Sequence, residues 1–155
     1  MISCMAEIKD RLKADLTAAM KERDELRTRT LRMVLTALST EEVAGGSARE
    51  LSDDEIIKLL TREAKKRREA ADAFDKGGRP EQATAEREEG EVLAEYLPAQ
   101  LTNAELTELV SAAIAEVGAS DVKAMGKVMK VVNPKVAGRA EGGRVAAEVK
   151  KQLGA

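Results

Sequence analysis

Apolar residues return at helical intervals along nearly the whole chain. Ile8, Leu12, Leu16 and Ala19 share one face of a first amphipathic helix, and Leu26, Leu31, Val34, Leu35 and Leu38 share one face of a second. The polar hinge Lys21-Glu22-Arg23-Asp24-Glu25 separates them, and the pattern leaves open whether it breaks the helix or bends it. Gly45-Gly46-Ser47 ends that segment. Ser52-Asp53-Asp54-Glu55 has the form of a capping box, in which the hydroxyl accepts the third backbone N–H and the glutamate reaches back to the cap. It predicts a long third helix whose positions Ile57, Leu60, Ala64, Arg67, Ala71 and Phe74 step by three and four, a coiled-coil-like seam with one arginine inserted. The expected role of Arg67 is a packed stem with its head paired to an acid on a neighbouring helix. Gly77-Gly78 stops this helix, and Pro80 suits the first turn of the next. That fourth helix is expected to run toward Leu97, with Ala83, Gly90, Leu93 and Leu97 on one face. Gly90 weakens it and points to close helix packing.

Pro98 punctuates the chain. Thr102-Asn103-Ala104-Glu105 is a second capping box, opening a helix with Leu106, Leu109, Val110, Ala113, Ile114 and Val117, and Gly118 suits its C-terminal cap. Ser120 is the expected cap of a short helix carrying Val122, Met125, Val128, Met129 and Val132. Pro134 and Gly138 mark a loop, Gly142-Gly143 a further break, and Val145, Val149 and Leu153 a final helix. No segment alternates convincingly with period two. The predicted fold class is therefore all-α: an N-terminal helical hairpin or bundle over residues 1–98, then a small C-terminal helical subdomain over residues 99–155.

Composition narrows the chemistry. A chain of 155 residues is long enough to bury a core, and with 1% aromatics, Phe74 and Tyr96 alone, that core must be aliphatic. The chain has no histidine, which removes the usual general base, metal ligand and pH switch together. Its one cysteine, Cys4, can form neither an internal disulfide nor a cysteine-based zinc site. Neither metal nor cofactor is expected. Met5 reads as a more natural translational start, which makes residues 1–4 a frayed extension. No apolar run reaches the about 18 residues of a membrane span, and the N-terminus lacks a signal-peptide core, so the expectation is a cytoplasmic protein away from membranes.

No nucleophile with a partner base emerges. Without histidine a serine hydrolase needs a Ser–Lys arrangement, and none of the serines lies in a glycine-rich catalytic loop. The P-loop and dinucleotide fingerprints are absent, and the glycines of residues 138–143 lie between helices. Acidic neighbours such as Glu41-Glu42, Asp53-Asp54 and Glu88-Glu89 splay around a helix and do not converge. No catalytic residue is expected.

Charge is unevenly divided. Residues 121–155 carry eight Lys/Arg against three Asp/Glu, a net of +5, whereas residues 1–120 sum to −7 and the whole chain to −2. A basic end on an acidic protein points to a polyanionic partner. In the basic clusters nearer the N-terminus, at Arg23, Arg27, Arg29 and Arg32 and at Arg62, Lys65, Lys66, Arg67 and Arg68, many residues have acids three or four positions away, for example Glu63 with Arg67 and Arg68 with Asp72, and these read as structural ion pairs. In the tail, Lys123, Lys127 and Lys130 recur at steps of four and three, Lys135 and Arg139 flank the glycine loop, and Arg144 follows. These six are the candidate phosphate contacts. No aromatic stands near them for base stacking, so shape and phosphate recognition of a folded RNA is the compatible mode.

Several ordered motifs resemble the YqeY family: Asp15-Leu-Thr-Ala-Ala-Met-Lys-Glu-Arg-Asp24, Leu31-Arg-Met-Val-Leu35, Glu63-Ala-Lys-Lys-Arg-Arg-Glu69, Glu95-Tyr-Leu-Pro-Ala-Gln-Leu101 and Met125-Gly-Lys-Val-Met129. Over its C-terminal part that family is similar to the tail domain of GatB, the tRNA-recognising subunit of the glutamine-dependent amidotransferase that makes Gln-tRNA or Asn-tRNA, a carbon–nitrogen ligase with glutamine as amido-N-donor. The resemblance implies a helical tRNA-binding module whose partners are tRNA and a synthetase or amidotransferase component. Glutamine hydrolysis and carboxylate activation belong to parts of that enzyme without counterpart here, so no activity of its own is expected. The alternative is a helical protein–protein interaction module docking a synthetase or other partner, marked by an exposed stripe of Leu and Met on the N-terminal bundle.

Overall fold

The computed structural model describes residues 7–136 and 138–154; the expected extension over residues 1–4, Cys4 among them, and the expected start at Met5 lie outside these. The described residues form seven α-helices and one 3-10 turn, with no strand. They fall into two compact units, Met1–Leu97 and Pro98–Ala155.

The first unit holds α1 (Glu7–Glu22), α2 (Glu25–Val43), α3 (Asp53–Lys76) and α4 (Pro80–Ala94). The hinge between α1 and α2 is a break. Arg23 adopts φ +58, the one left-handed non-glycine residue among those described. The Asp24 N–H turns back to Ala19 O at 2.9 Å, closing α1, and the Asp24 carboxylate accepts the Arg27 N–H at 3.0 Å, opening α2. A C-terminal corner of this kind normally uses glycine; with a side chain it costs roughly 1–2 kcal/mol.

The α3 capping box forms as expected, with Glu55 N–H on Ser52 Oγ at 3.2 Å and Ser52 N–H on Glu55 Oε1 at 3.1 Å. The seam of α3 begins at Ile56, which is wholly buried, and not at Ile57, which is only half-buried. Ile56, Leu60 and Ala64 meet Leu12, Leu31 and Leu93 in one aliphatic core. Each fully buried leucine contributes about 1.5–3 kcal/mol there, and truncating one to alanine costs about 2–5 kcal/mol.

Pro80 takes the first position of α4. This helix ends at Ala94 and not at Leu97, because the N–H groups of Glu95, Tyr96 and Leu97 bond three residues back, to Val92, Leu93 and Ala94, in tighter turns. Pro98 disfavours helical geometry in the residue before it, which fits an early stop. Opposite Gly90, a methyl would lie 3.7 Å from Arg67 Cβ, an ordinary contact, so the helices approach closely yet leave room for alanine.

The second unit holds α5 (Asn103–Val117), a 3-10 turn (Val122–Ala124), α6 (Met125–Val136) and α7 (Gly142–Gln152). Thr102 and Glu105 exchange their capping bonds at 3.1 and 2.9 Å, and Gly118 closes α5 at φ +75. Three expectations change here. The cap after α5 is Asp121, whose carboxylate accepts the Lys123 N–H at 2.9 Å, and not Ser120. Pro134 lies inside α6, which continues to Val136. The ring sits on the exposed side of the last turn, where its missing N–H removes a single bond near the end of the helix. Gly142 and Gly143 do not interrupt the chain but begin α7, where first-turn N–H groups lack helical partners in any case. Leu106, Val110, Val128, Val132, Val145 and Val149 lie at the centre of this unit's separate core.

Candidate nucleic-acid interface

The burial of α6 decides which of its cations face water. Val128, Val132 and Val136 are in the core, so a helix of 3.6 residues per turn carries Lys127, Lys130 and Pro134 on the opposite side. All three are exposed, as is Lys123 in the preceding 3-10 turn. Lys123, Lys127 and Lys130 have no ion pair among the described residues, while Lys135 reaches Glu116 at 3.3 Å. That pair is exposed on both sides, and such pairs are worth about 0–1 kcal/mol. Lys135 is therefore released at small cost.

The other two candidates have internal duties. Arg144 donates through Nη2 to Leu101 O at 2.7 Å and to Asn103 Oδ1 at 3.0 Å, fastening the segment that leads into α5. Arg139 donates through Nε to Ala99 O at 3.3 Å, and its own carbonyl accepts the Leu101 N–H at 2.7 Å. Gln100 adds a bond to Gly138 O at 3.1 Å. Residues 99–103 and 138–144 are laced together this way. The structure thus brings three of the six sequence candidates onto one free surface, leaves a fourth in a weak pair, and gives the two arginines structural work.

In the first unit the basic clusters are largely neutralised. Arg27 grips Glu95 with two bonds of 3.1 and 2.6 Å, Arg29 meets Glu89 at 3.1 Å, and Lys66 meets Glu63 at 3.1 Å. Arg67 lies within 3.5 Å of Glu63 and 3.4 Å of both Glu86 and Glu89. Its buried Nε, although 3.4 Å from Glu89, is not aligned for a hydrogen bond. An open depression of about 410 Å³ at the α1–α2 corner is lined by Met20, Arg23, Glu25, Thr28 and Arg32, with Glu25 offsetting part of its positive charge.

One cluster was not visible in the sequence. The buried Tyr96 hydroxyl donates to Asp15 Oδ2, and the Arg11 guanidinium lies 4.6 Å above the ring. Arg11 also donates to Glu95 O at 3.1 Å. Burial first, and then the bond to Asp15, push the Tyr96 phenol above its ordinary value. The signal was present, since Tyr96 is the one tyrosine of the chain, but nothing in spacing links it to a residue 81 positions earlier.

Among the described residues no helix is long and apolar enough to cross a membrane, and no group of three or more His, Cys, Asp or Glu is placed to hold a metal ion. Comparison with known proteins adds a lineage. The protein called Altered inheritance of mitochondria protein 41, mitochondrial, from Clavispora lusitaniae is 27% identical over 129 residues, covering 81% of this chain and 74% of that protein. The family model described as Yqey-like protein matches residues 9–153, nearly the full length. The chain belongs to the YqeY family.

Proposed function

We propose that this protein is a non-catalytic tRNA-binding accessory module related to the tRNA-dependent amidotransferases. The observation that carries the reading is the lysine face of the 3-10 turn and α6, where Lys123, Lys127 and Lys130 are exposed and have no acidic partner among the described residues, in the C-terminal segment that carries a net +5 on an otherwise acidic chain. Ammonium groups on one helical face suit phosphates, and the absence of aromatics beside them favours backbone and shape over base reading. Lys135 joins the set once it leaves Glu116. Arg139 and Arg144 act by holding the loop that flanks the face. The likeness of the family's C-terminal part to the GatB tail supports the same assignment. An exposed Leu and Met stripe, the mark of a protein-docking module, is not found: the large apolar side chains exposed among the described residues are Met20, Val43 and Val122, scattered singly.

The test is fluorescence anisotropy with bulk tRNA across a salt series, using the full chain and its Lys127→Ala/Lys130→Ala variant. The parent should bind more tightly than the about 10⁻⁴–10⁻⁶ M of non-specific contact, and the variant should lose about 0.7–0.9 in salt slope per charge removed. Equal affinity of parent and variant at every salt would remove the lysine face from the binding site.

A further inference from the structure

Gly126 is a residue that the fold does not require. It is the second residue of α6, its φ is not in the left-handed region, and a Cβ built on it meets nothing within 4 Å. Gly46, Gly78 and Gly118 have positive φ and so a conformational reason to be glycine; Gly126, like Gly45 and Gly142, has none, and of these three it alone lies among the exposed lysines of α6. Glycine in a helix is less favourable than alanine because it loses more backbone freedom on folding. Internal packing does not repay that cost here. Its surroundings are chemical: Lys123 lies three residues before it, Lys127 next to it and Lys130 four residues after it, all exposed.

We infer that Gly126 is the point of closest approach for the RNA backbone, resting on the tRNA-binding reading above. Without a side chain, the helix surface at this point is bare backbone, and a sugar–phosphate strand can settle directly against it. The three lysines then surround the seated strand, with their ammonium groups in direct contact with phosphates. A side chain at position 126 would hold the strand away and put water between charges, where attraction is far weaker. The same glycine that weakens the free helix thus serves the bound state.

The prediction separates stability from binding. Full-length Gly126→Ala and Gly126→Gln are compared with the parent and with Lys127→Ala/Lys130→Ala, by thermal melting and by bulk tRNA anisotropy. Both glycine variants should melt at or above the parent temperature, while affinity falls with side-chain size, reaching about tenfold, or about 1.4 kcal/mol, for glutamine. If Gly126→Gln binds within about twofold of the parent, a difference too small to mark a lost contact, while the lysine variant is weakened, the close-approach role is overturned and the RNA reading stands. If the lysine variant also binds like the parent, the RNA face itself is misplaced and the inference falls with it. A lower melting temperature in both glycine variants would assign Gly126 to the fold and overturn the inference.

Discussion

Arg67 occupies a seam position where an apolar residue is usual, and three carboxylates gather around its head. Its side chain is 16% exposed, close to the 13%, 22% and 14% of Glu63, Glu86 and Glu89. Arg29 and Lys66 supply part of the remaining positive charge. Removing the guanidinium leaves these acids facing one another with reduced solvation. Arg67→Ala is expected to cost about 3 kcal/mol in urea unfolding, the lower end for a broken buried pair because water still reaches the acids. Affinity for tRNA should be unchanged once the variant is folded; lost binding at unchanged stability would contradict this assignment. The role was legible because Arg67 is the one polar residue in a three-four apolar seam. Register is less legible: the pattern accommodates Ile57 as readily as Ile56, and Ser120 as readily as Asp121. Periodicity identifies a face, but adjacent apolar or capping residues satisfy it almost equally well, and only packing decides between them.

At the level of elements, the two capping boxes were the clearest signals, since a hydroxyl and a glutamate three residues apart define both partners of a local bond. Glu55 shows what such a cap does with pH. The Arg49 side chain, then the Ser52 N–H, hold its carboxyl down to about 2 from 4.5. A depressed carboxyl stabilises the fold above its unfolded value, and that contribution disappears as pH falls toward the folded one. The parent should therefore melt above Glu55→Gln near neutral pH, with the gap closing between about pH 4.5 and 2. A gap independent of pH would show that the charge of Glu55 is irrelevant to the cap. Helix ends were harder to place. Pro134 looked like a terminus because proline usually is one, yet near the end of α6 it removes one bond on a wet face. The hinge at Arg23 was unreadable for the opposite reason: nothing in an arginine announces a left-handed corner, and Ala19 and Asp24 impose it through the backbone.

Across the whole molecule, charge partition was readable by counting, and the all-helical class followed from period alone. Counting did not reveal which cations are available. The arginines proved mostly structural, at Glu95, Glu89, Glu86 and the carbonyls of residues 99 and 101, whereas the free surface of α6 is lysine. The division follows from the side chains: a guanidinium's fixed fork suits defined partners, and a hydrated ammonium on a flexible stem suits a surface that waits for one. Tyr96 has a further consequence for anyone watching this protein with light. The chain has one tyrosine, one phenylalanine and no tryptophan, and both aromatics precede Pro98. Near-ultraviolet absorbance and ellipticity therefore report almost wholly on a ring enclosed by Arg11 and Asp15. An alkaline titration at the phenolate wavelength should show no rise at the ordinary pH of about 10 until the first unit opens; an ordinary titration curve would mean that the enclosure is loose in solution. The lysine-bearing unit is optically dark, and events on it become visible only through a chromophore placed there or carried by its partner.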